Sequence, residues 1–352
     1  MTKEPYKVKL TPYRKSHGEL LHRQSKNHKM ISSDGRYQFF IDENIDEADF
    51  WIMHGKGVRQ PITCKVAPEN TVLLTTEPYS IFAYPKSYTK QFGVVHSSQI
   101  ETKHKKVIHG PAIIPWYVGY TEDKEGKLHY TLDYDTLKES FTPQKTKLIS
   151  VITSNKVTSQ GHIDRIHFVE KLKEHYGDQI DVFGRGIKSF DDKWEVLAPY
   201  KYHIAIENSS TDFYWTEKLA DCYLAETFPI YYGCTNIQDY FPKGAYEPID
   251  IFNFDGAIKI IDSLIANDRY EKSKEILTTC KNKVLDEYNI FDYAAKICDT
   301  LNPELQKKEV IIKPCVSVRN SHNFFNYTFK RHYYKFKKRF LDFCNPSGTL
   351  DK

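Results

Sequence analysis

Short apolar runs, bounded by polar or glycine-containing turns, mark the predicted strands of this chain. In the first third, Phe50–Met53 and Val72–Thr76 have the length and apolar character of buried strands. From Lys147 onward, such runs alternate with segments of helical periodicity. The predicted strands there are 148–153, 180–184, 202–206 and 228–233, and the predicted helices are 162–176, 217–226 and two within 254–288. This alternation predicts a parallel α/β sheet, which binds ligands at the carboxyl ends of its strands.

The length of the chain, 352 residues, favours two domains over a single hydrophobic core. A polar stretch over 120–144 is the predicted interdomain connection. We therefore expect an N-terminal domain over 1–144 and a C-terminal domain over 145–305. A tail over 306–352 follows them.

The positive charge of the chain is concentrated in that tail. Residues 319–339 carry seven Lys or Arg and no acid, so the net charge of +4 leaves 4 − 7 = −3 for the remainder. Five aromatic residues recur there at spacings of 4, 4, 3 and 4: Phe325, Phe329, Tyr333, Phe336 and Phe340. The pattern predicts a basic amphipathic helix, which suits the surface of an anionic membrane. Nucleic-acid binding and packing on the protein's own N-terminal domain are the alternatives, and we favour the membrane over nucleic acid.

The composition argues against membrane-spanning and exported proteins. No stretch reaches the roughly 18 to 20 apolar residues of a membrane span, and the N-terminus lacks the apolar region of a secretory signal. Seven scattered cysteines without a CxxC pair predict neither a zinc site nor a disulfide framework. We expect a cytoplasmic protein, attached peripherally to the inner face of the membrane if the tail binds it.

The candidate chemistry is concentrated between Glu207 and Lys218. Here a buried strand, His203–Ile206, ends in a polar loop, and Thr216 can cap the helix that follows. A helix N-terminus offers free N–H groups and partial positive charge, and Lys218 adds a full charge, so a diphosphate suits this position. Glu217 could bind ribose or sugar hydroxyls. The alternative is that Thr216 and Glu217 only cap the helix and complement its dipole.

The segment Tyr200–Pro242 resembles the donor-binding signature of the family 10 glycosyltransferases, the α-1,3/1,4-fucosyltransferases, of the bacterial type. The matching elements occur in the family's order: Glu207-Asn208-Ser209, Tyr214, Thr216-Glu217-Lys218, Pro229 and Gly233. Ser154-Asn155 with Arg165, and Ile180–Arg185, resemble two further family segments. The shorter stretch Leu73–Pro78 is similar to the strand end that carries the family's acidic residue near the acceptor.

The resemblance implies a GT-B fold, in which two Rossmann-like domains face each other across a cleft. It implies that the N-terminal domain, 1–144, binds the acceptor and that the C-terminal domain, 145–305, binds the nucleotide-sugar donor. It also implies GDP-fucose as the donor and inversion at the anomeric carbon. Such a reaction needs a general base for the acceptor hydroxyl and positive charge for the departing diphosphate.

The resemblance suggests a role for each candidate residue. Glu77 is the candidate base; the alternative is a surface carboxylate before a Pro turn. Arg165 and Lys218 are the candidate diphosphate clamp, although Arg165 could be an ordinary exposed helix residue. Asn208 and Tyr214 would hold the nucleotide or the sugar. Glu217 would bind the hydroxyls of the ribose or the fucose. Arg185 is a weaker candidate for donor binding.

No metal or other cofactor is expected, because cationic side chains can stabilise the leaving group. Asp133-Tyr134-Asp135 has the Asp-x-Asp form of metal-dependent transferases, but it lies in the polar connection, away from any long buried strand.

The predicted function is fucosyl transfer to lipopolysaccharide or a similar surface glycan, with an oligosaccharide or a lipid-linked glycan as the acceptor. The alternatives are a related transferase that uses a different nucleotide sugar, and a non-catalytic protein that binds glycans or nucleotides.

Overall fold

The protein is described from a computed structural model, which covers residues 4–13, 15–139, 143–154, 159–318, 329, 332–334 and 336–337. The strands are β1 (Tyr6–Pro12), β2 (Tyr37–Ile41), β3 (Phe50–His54), β4 (Ile62–Val66), β5 (Thr71–Leu74), β6 (Val94–Ser97), β7 (Val107–His109), β8 (Tyr120–Glu122), β9 (Leu128–Tyr130), β10 (Lys147–Ile152), β11 (Ile180–Phe183), β12 (Tyr200–Ile206), β13 (Phe228–Tyr232), β14 (Glu247–Pro248) and β15 (Lys308–Ile312). The helices are α1 (Lys15–His22), α2 (Lys86–Thr89), α3 (Tyr134–Lys138), α4 (Gln160–Tyr176), α5 (Glu217–Leu224), α6 (Phe254–Ala266), α7 (Lys274–Asp286), α8 (Ile290–Cys298) and α9 (Cys315–Val318).

The first sheet contains six parallel strands in the order β2-β1-β3-β5-β6-β7. Strand β3 is buried along its whole length, which explains its unbroken apolar sequence. The strand predicted over Val72–Thr76 is present, but it begins one residue earlier and ends at Leu74. Thr75 and Thr76 belong to the loop that leads to Glu77.

The second sheet contains five parallel strands in the order β11-β10-β12-β13-β14. Two parallel sheets confirm the expected two-domain α/β architecture. The helix predicted over 217–226 ends at Leu224, because Glu226 adopts a left-handed conformation with φ +48°. The two helices predicted within 254–288 are α6 and α7.

The segment between the two sheets is more structured than its polar sequence indicates. Strands β8 and β9 form an antiparallel hairpin, and α3 follows them. Asp133 caps α3 by accepting a hydrogen bond from the Thr136 backbone N–H, and Asp135 accepts one from the backbone N–H of Asn27. Both carboxylates of the Asp-x-Asp sequence thus have structural partners.

After the second sheet the chain returns to the first. Helix α8 packs its apolar face against β1, β2 and β3, with Phe291 edge-on to Phe39. Strand β15 then pairs antiparallel with β4, and Ile312 packs on the opposite face of the first sheet, in the cluster that contains Trp51 and Met53. The predicted domain boundaries, 1–144 and 145–305, stay a prediction; the first sheet is covered partly by residues after 290.

The tail is described only in part. The described residues 329, 332–334 and 336–337 are helical, whereas Phe325 and Phe340 lie outside the described residues. Tyr334 packs against Ile163 and Ile166 of α4, a helix of the second sheet, and the Lys337 ammonium donates to the Gln160 side-chain carbonyl at 2.6 Å. These contacts differ from the predicted alternative of packing on the acceptor domain. In the parts of the chain that the structure describes, no helix combines the length and apolar character needed to cross a bilayer.

Candidate active site

A cleft of about 740 Å³ opens at the carboxyl ends of β10, β11 and β12 and at the start of α5. This is the position at which open α/β sheets bind ligands. Its lining combines cationic, acidic, hydroxyl and aromatic groups, among them Tyr117, Tyr120, Ser154, Arg165, Arg185, Phe190, Lys193, His203, Glu217 and Lys218.

Glu207, directly after β12, organises the loop that leads into α5. Its side chain is fully buried, and one carboxylate oxygen accepts hydrogen bonds from the backbone N–H and the hydroxyl of Thr216, both at 2.8 Å. Thr216 in turn accepts from the backbone N–H of Lys218, which confirms the predicted helix cap. The buried acid therefore fixes the first turn of α5, whose residues Glu217 and Lys218 line the cleft.

The Glu207 carboxylate also lies 3.2 Å from the Lys218 ammonium, and the Glu217 carboxylate lies 3.3 Å from it. Although burial opposes protonation of Lys218, the two carboxylates raise its pKa to about 12, so it is a permanent cation. Burial also opposes ionisation of Glu217, but the charges of Lys218 and Lys193 outweigh it and lower the pKa of this carboxyl. The first turn of α5 therefore offers one cation and one carboxylate to a ligand.

Arg165 of α4 supplies a second cation to the cleft. Its guanidinium donates to the Asn208 side-chain carbonyl at 2.9 Å, which joins α4 to the loop after β12. Only 6% of the residue is exposed, and its Nε is a buried donor without a partner among the described residues. Burial lowers the pKa of Arg165, with Glu207 opposing that shift, yet a guanidinium stays charged. A buried arginine with an unused donor is suited to an anionic ligand.

Two glycines permit the close approach of the elements around the cleft. Gly184, after β11, has φ +138°, and a Cβ there would lie 1.5 Å from the Thr153 carbonyl oxygen at the end of β10. A Cβ on Gly233 would lie 2.5 Å from the Cγ of Glu207. Gly233 therefore leaves room for the buried acid after β12, a physical reason for glycine at this place in the signature.

Lys193 and Asp221 were not predicted as site residues from the sequence. The Lys193 ammonium lies 2.8 Å from the fully buried Asp221 carboxylate, which also accepts from the backbone N–H of Tyr117 at 3.2 Å. Asp221 stands in the apolar run Leu219–Leu224 of α5, and an acid in such a run indicates a buried charge that needs a partner. That signal identifies Asp221, but the partner comes from a distant loop.

Glu77 lies in the loop after β5 of the first sheet, and its carboxylate accepts from the Lys56 ammonium at 2.9 Å. Burial is the main cause of the strongly raised pKa of Tyr214, and the charges of Glu207 and Glu77 contribute to it. Glu77 therefore lies within electrostatic reach of the donor-side loop. Two contacts join the same regions: the Ser80 and Ser209 hydroxyls lie 2.6 Å apart, and the His109 and Phe213 rings stack at 5.3 Å.

The structure thus brings four of the seven predicted site residues together in the cleft: Arg165, Arg185, Glu217 and Lys218. Asn208 contacts Arg165 but lines a neighbouring cavity of about 220 Å³, and Tyr214 is buried within the loop between β12 and α5. Glu77 does not line the cleft. The roles of all seven residues remain predictions. Among the described residues, no group of three His, Cys, Asp or Glu side chains is placed to hold a metal ion.

The model of the glycosyltransferase family 10 (fucosyltransferase) C-terminal domain matches residues 142–312. This range contains the second sheet, the cleft residues from Ser154 to Lys218 and the return to the first sheet. Residues 142–312 are a family 10 glycosyltransferase domain.

Curated relatives match shorter parts of the chain. The α-(1,3)-fucosyltransferase FucT of Helicobacter pylori is 36% identical over 89 residues, which is 25% of this chain and 18% of that protein. The GDP-fucose protein O-fucosyltransferase 3 of Danio rerio is 31% identical over 93 residues, 22% of this chain and 20% of that protein. The chain therefore spans about a fifth of the length of the curated relatives it matches.

Solved structures are similar over more of the chain at lower identity. The crystal structure of an α1,3-fucosyltransferase with GDP is 16% identical, covers 83% of this chain and 94% of that chain, and has a TM-score of 0.48. The corresponding structure with GDP-fucose is 17% identical, covers 79% and 83%, and has a TM-score of 0.46.

Proposed function

We propose that the protein transfers fucose from GDP-fucose to a hydroxyl of a surface glycan, with inversion at the anomeric carbon. The observation that carries the proposal is the charged group at the start of α5 within a family 10 domain. There Lys218, held as a cation by two carboxylates, lies in one cleft with the buried Arg165. The two curated relatives described above are both named as fucosyltransferases.

In the proposed reaction the acceptor oxygen attacks the anomeric carbon while the bond to the β-phosphate oxygen breaks. Arg165 and Lys218 stabilise the negative charge that develops on the diphosphate. The partial positive charge at the N-terminus of α5, whose first turn is fixed by Glu207 and Thr216, acts in the same direction. These cations supply the charge that a metal would otherwise provide, so the proposed reaction requires none.

Glu77 is the proposed general base, which takes the proton of the acceptor hydroxyl. It lies in the other domain from Lys218, as an attack from the face opposite the leaving group requires. Lys56 is hydrogen-bonded to one of its carboxylate oxygens, which leaves the second for the acceptor. Glu217, with its lowered pKa, is the proposed acceptor of ribose or fucose hydroxyls. Asn208, Tyr214 and Arg185 are proposed to complete the donor site.

We further propose a lipid-linked or lipopolysaccharide-type acceptor, a cytoplasmic location and attachment to the inner face of the membrane through the tail. Phe329, Tyr333 and Phe336 are exposed aromatic residues of that tail, which suits an interfacial helix.

The test is a titration of the purified protein with GDP, UDP and CMP, followed by a GDP-fucose turnover assay on N-acetyllactosamine-type acceptors, with and without EDTA. We expect selective GDP binding and metal-independent turnover. Failure to bind GDP overturns the proposal, and preference for UDP or CMP assigns a different nucleotide sugar. GDP binding without turnover on any glycan favours the non-catalytic alternative, and loss of turnover in EDTA contradicts the metal-free reaction.

A further inference from the structure

His203 is a buried histidine in the floor of the cleft that the proposed donor contacts leave unused. It stands within β12, has 3% of its surface exposed and lines the cleft next to Ile204 and Ala205. Most buried side chains of a central strand are apolar, so a histidine here needs its polar atoms matched.

The hydrogen bonds around Ser150 assign the tautomer of His203. The Ser150 hydroxyl donates to the Val196 carbonyl at 2.9 Å and lies 2.8 Å from His203 Nδ1. A serine has only one hydroxyl hydrogen, and Val196 receives it. His203 Nδ1 must therefore carry the hydrogen of the second bond, and Ser150 accepts it. In a neutral ring this leaves Nε2 with a lone pair and no hydrogen.

The ring is neutral, and its Nε2 opens onto the cleft. Burial, with a smaller contribution from Lys193, lowers the pKa of His203 to about 3. Nε2 has no hydrogen-bond partner among the described residues, and it is not among the polar atoms sealed from solvent. The cleft floor therefore presents a hydrogen-bond acceptor of fixed orientation.

A neutral acceptor is unsuited to a phosphate, whose oxygens are themselves acceptors at neutral pH. The cations for the diphosphate lie at the carboxyl end of β12, whereas His203 stands four residues before Glu207, about 13 Å along an extended strand. The lining of the cleft also includes planar and apolar side chains, among them Phe190, Tyr120 and Ile152. Lys193 lines the cleft as well, and its ammonium forms an ion pair with the Asp221 carboxylate.

We propose that His203 Nε2 accepts a hydrogen bond from the N–H edge of the guanine base and so selects GDP over adenine nucleotides. Guanine carries an imino N–H and an adjacent amino group on one edge, whereas adenine has an acceptor nitrogen in place of the imino N–H. If adenine occupied the same site, its acceptor nitrogen would face the Nε2 lone pair, and no hydrogen bond could form between them. This inference rests on the proposed function, because it concerns the base of the same nucleotide.

The experiment measures dissociation constants for GDP, ADP and 2′-deoxy-GDP by calorimetry, for the full chain and for His203→Phe and His203→Gln. In His203→Phe we expect GDP to bind about 5- to 100-fold more weakly, because a buried donor loses its partner, with little change for ADP. His203→Gln, which offers a carbonyl oxygen, should restore part of the selectivity. His96→Phe is the matched control, since His96 is equally buried in the first sheet, and it should leave the GDP constant unchanged.

Several outcomes overturn the inference. One is an equal loss of GDP and ADP binding in His203→Phe, which indicates a structural role. Another is that His203→Phe weakens the binding of GDP but not that of 2′-deoxy-GDP. In that case the histidine ring contacts the ribose 2′-hydroxyl rather than the base. If GDP binds the unaltered chain but His203→Phe keeps its selectivity, only this inference fails; if GDP does not bind the unaltered chain, the proposed function fails.

A second measurement needs no substitution in His203. Long-range ¹⁵N–¹H NMR of the histidine rings should show a neutral ring protonated at Nδ1 between pH 5.5 and 8. Ser150→Ala removes the group that selects this tautomer, so it should shift the ring toward the Nε2–H form and weaken GDP binding. An Nε2–H ring in the unaltered protein contradicts the proposal even where His203→Phe does not fold.

Discussion

At the scale of single residues, the site depends on carboxylates of different function. Glu207 is wholly enclosed and orients Thr216 and Lys218, so it is a positioning residue. Glu77 is partly exposed in the loop after β5 and is the proposed base for the acceptor hydroxyl. The two acids should therefore respond differently to substitution.

We expect Glu77→Gln to lower kcat by about 10²- to 10⁴-fold, because the amide cannot take the hydroxyl proton. The dissociation constant for GDP should stay within about twofold of its original value, since Glu77 lies in the other domain. Steady-state kinetics and calorimetry check the two expectations. Glu101→Gln, an exposed acid of the same domain, is the control, and an equal loss of activity in that variant would contradict the assignment.

Two buried histidines should make the protein acid-sensitive. Burial is the main cause that lowers the pKa of both His96 and His203 to about 3, against about 6.5 in an unfolded chain. Below pH 6.5 the unfolded chain binds protons that the folded protein does not, so stability decreases as the pH falls and is unaffected by these groups above pH 6.5. At pH 5 each histidine should reduce the free energy of unfolding by about 2 kcal/mol.

Urea unfolding at pH 7 and pH 5 measures this effect. In His96→Gln the difference between the two pH values should shrink by about 2 kcal/mol. His167 is exposed on α4, so His167→Gln should leave the difference unchanged. If the difference in unfolding free energy between pH 7 and pH 5 is the same in the two variants, His96 does not remain neutral in the folded protein.

At the scale of elements, the start of α5 determines the site. The Thr216 hydroxyl both caps the helix and donates to the buried Glu207 carboxylate. We expect Thr216→Val to lower the free energy of unfolding by about 2 kcal/mol and to weaken GDP binding, because it removes the cap and one donor to a buried acid.

Asn253 provides the matched control for that substitution. It caps α6 through its side-chain carbonyl, which accepts from the Gly256 backbone N–H at 3.1 Å, and it does not line the cleft. Asn253→Ala should cost about 1 kcal/mol of stability and leave GDP binding unaltered. If both variants weaken GDP binding alike, α5 has no special part in it.

The elements of the second sheet were predictable because each is a compact local pattern. Strands β10, β12 and β13 are apolar runs, and α4 and α5 begin after capping or polar residues. The hairpin of β8 and β9 was missed, because its short strands are polar and its pairing is visible only in space. The end of α5 depends on a single left-handed residue, Glu226, whose type gives no such signal.

The candidate site was predictable where its residues are adjacent in the chain, as from Glu207 to Lys218. The pairing of Lys193 with Asp221 was not, because the two are brought together by the packing of a loop on a helix. The neutral state of His203 also depends on burial and on Ser150 of the neighbouring strand, which sequence spacing does not reveal.

At the scale of the whole molecule, residues after 290 complete the first sheet. A chain that stops after Val318 keeps α8, β15 and α9, whereas one that stops after Leu305 loses β15 and the buried Ile312. We expect the chain that stops after Val318 to bind GDP. It should not cosediment with anionic vesicles, because it lacks the basic tail that supplies the proposed affinity for them.

The chain that stops after Leu305 should be less stable than the chain that stops after Val318 by about 2–5 kcal/mol. The reason is that the apolar cluster on one face of the first sheet is no longer covered. Thermal unfolding and vesicle cosedimentation separate the two effects. Vesicle binding by the chain that stops at Val318 would contradict the role of the tail. Equal stability of the two products would contradict the role of β15.

The pairing of β15 with β4 also has a consequence for biosynthesis. Lys308 pairs with Val66, and 308 − 66 = 242 residues separate these partners in the chain. At about 5–20 residues per second, a ribosome needs roughly 12–50 s to add them. During that interval the first sheet lacks α8 on one face and Ile312 on the other, while the second sheet and its helices are contiguous and emerge as a unit. We expect the half of the protein that is translated first to be the last to finish folding.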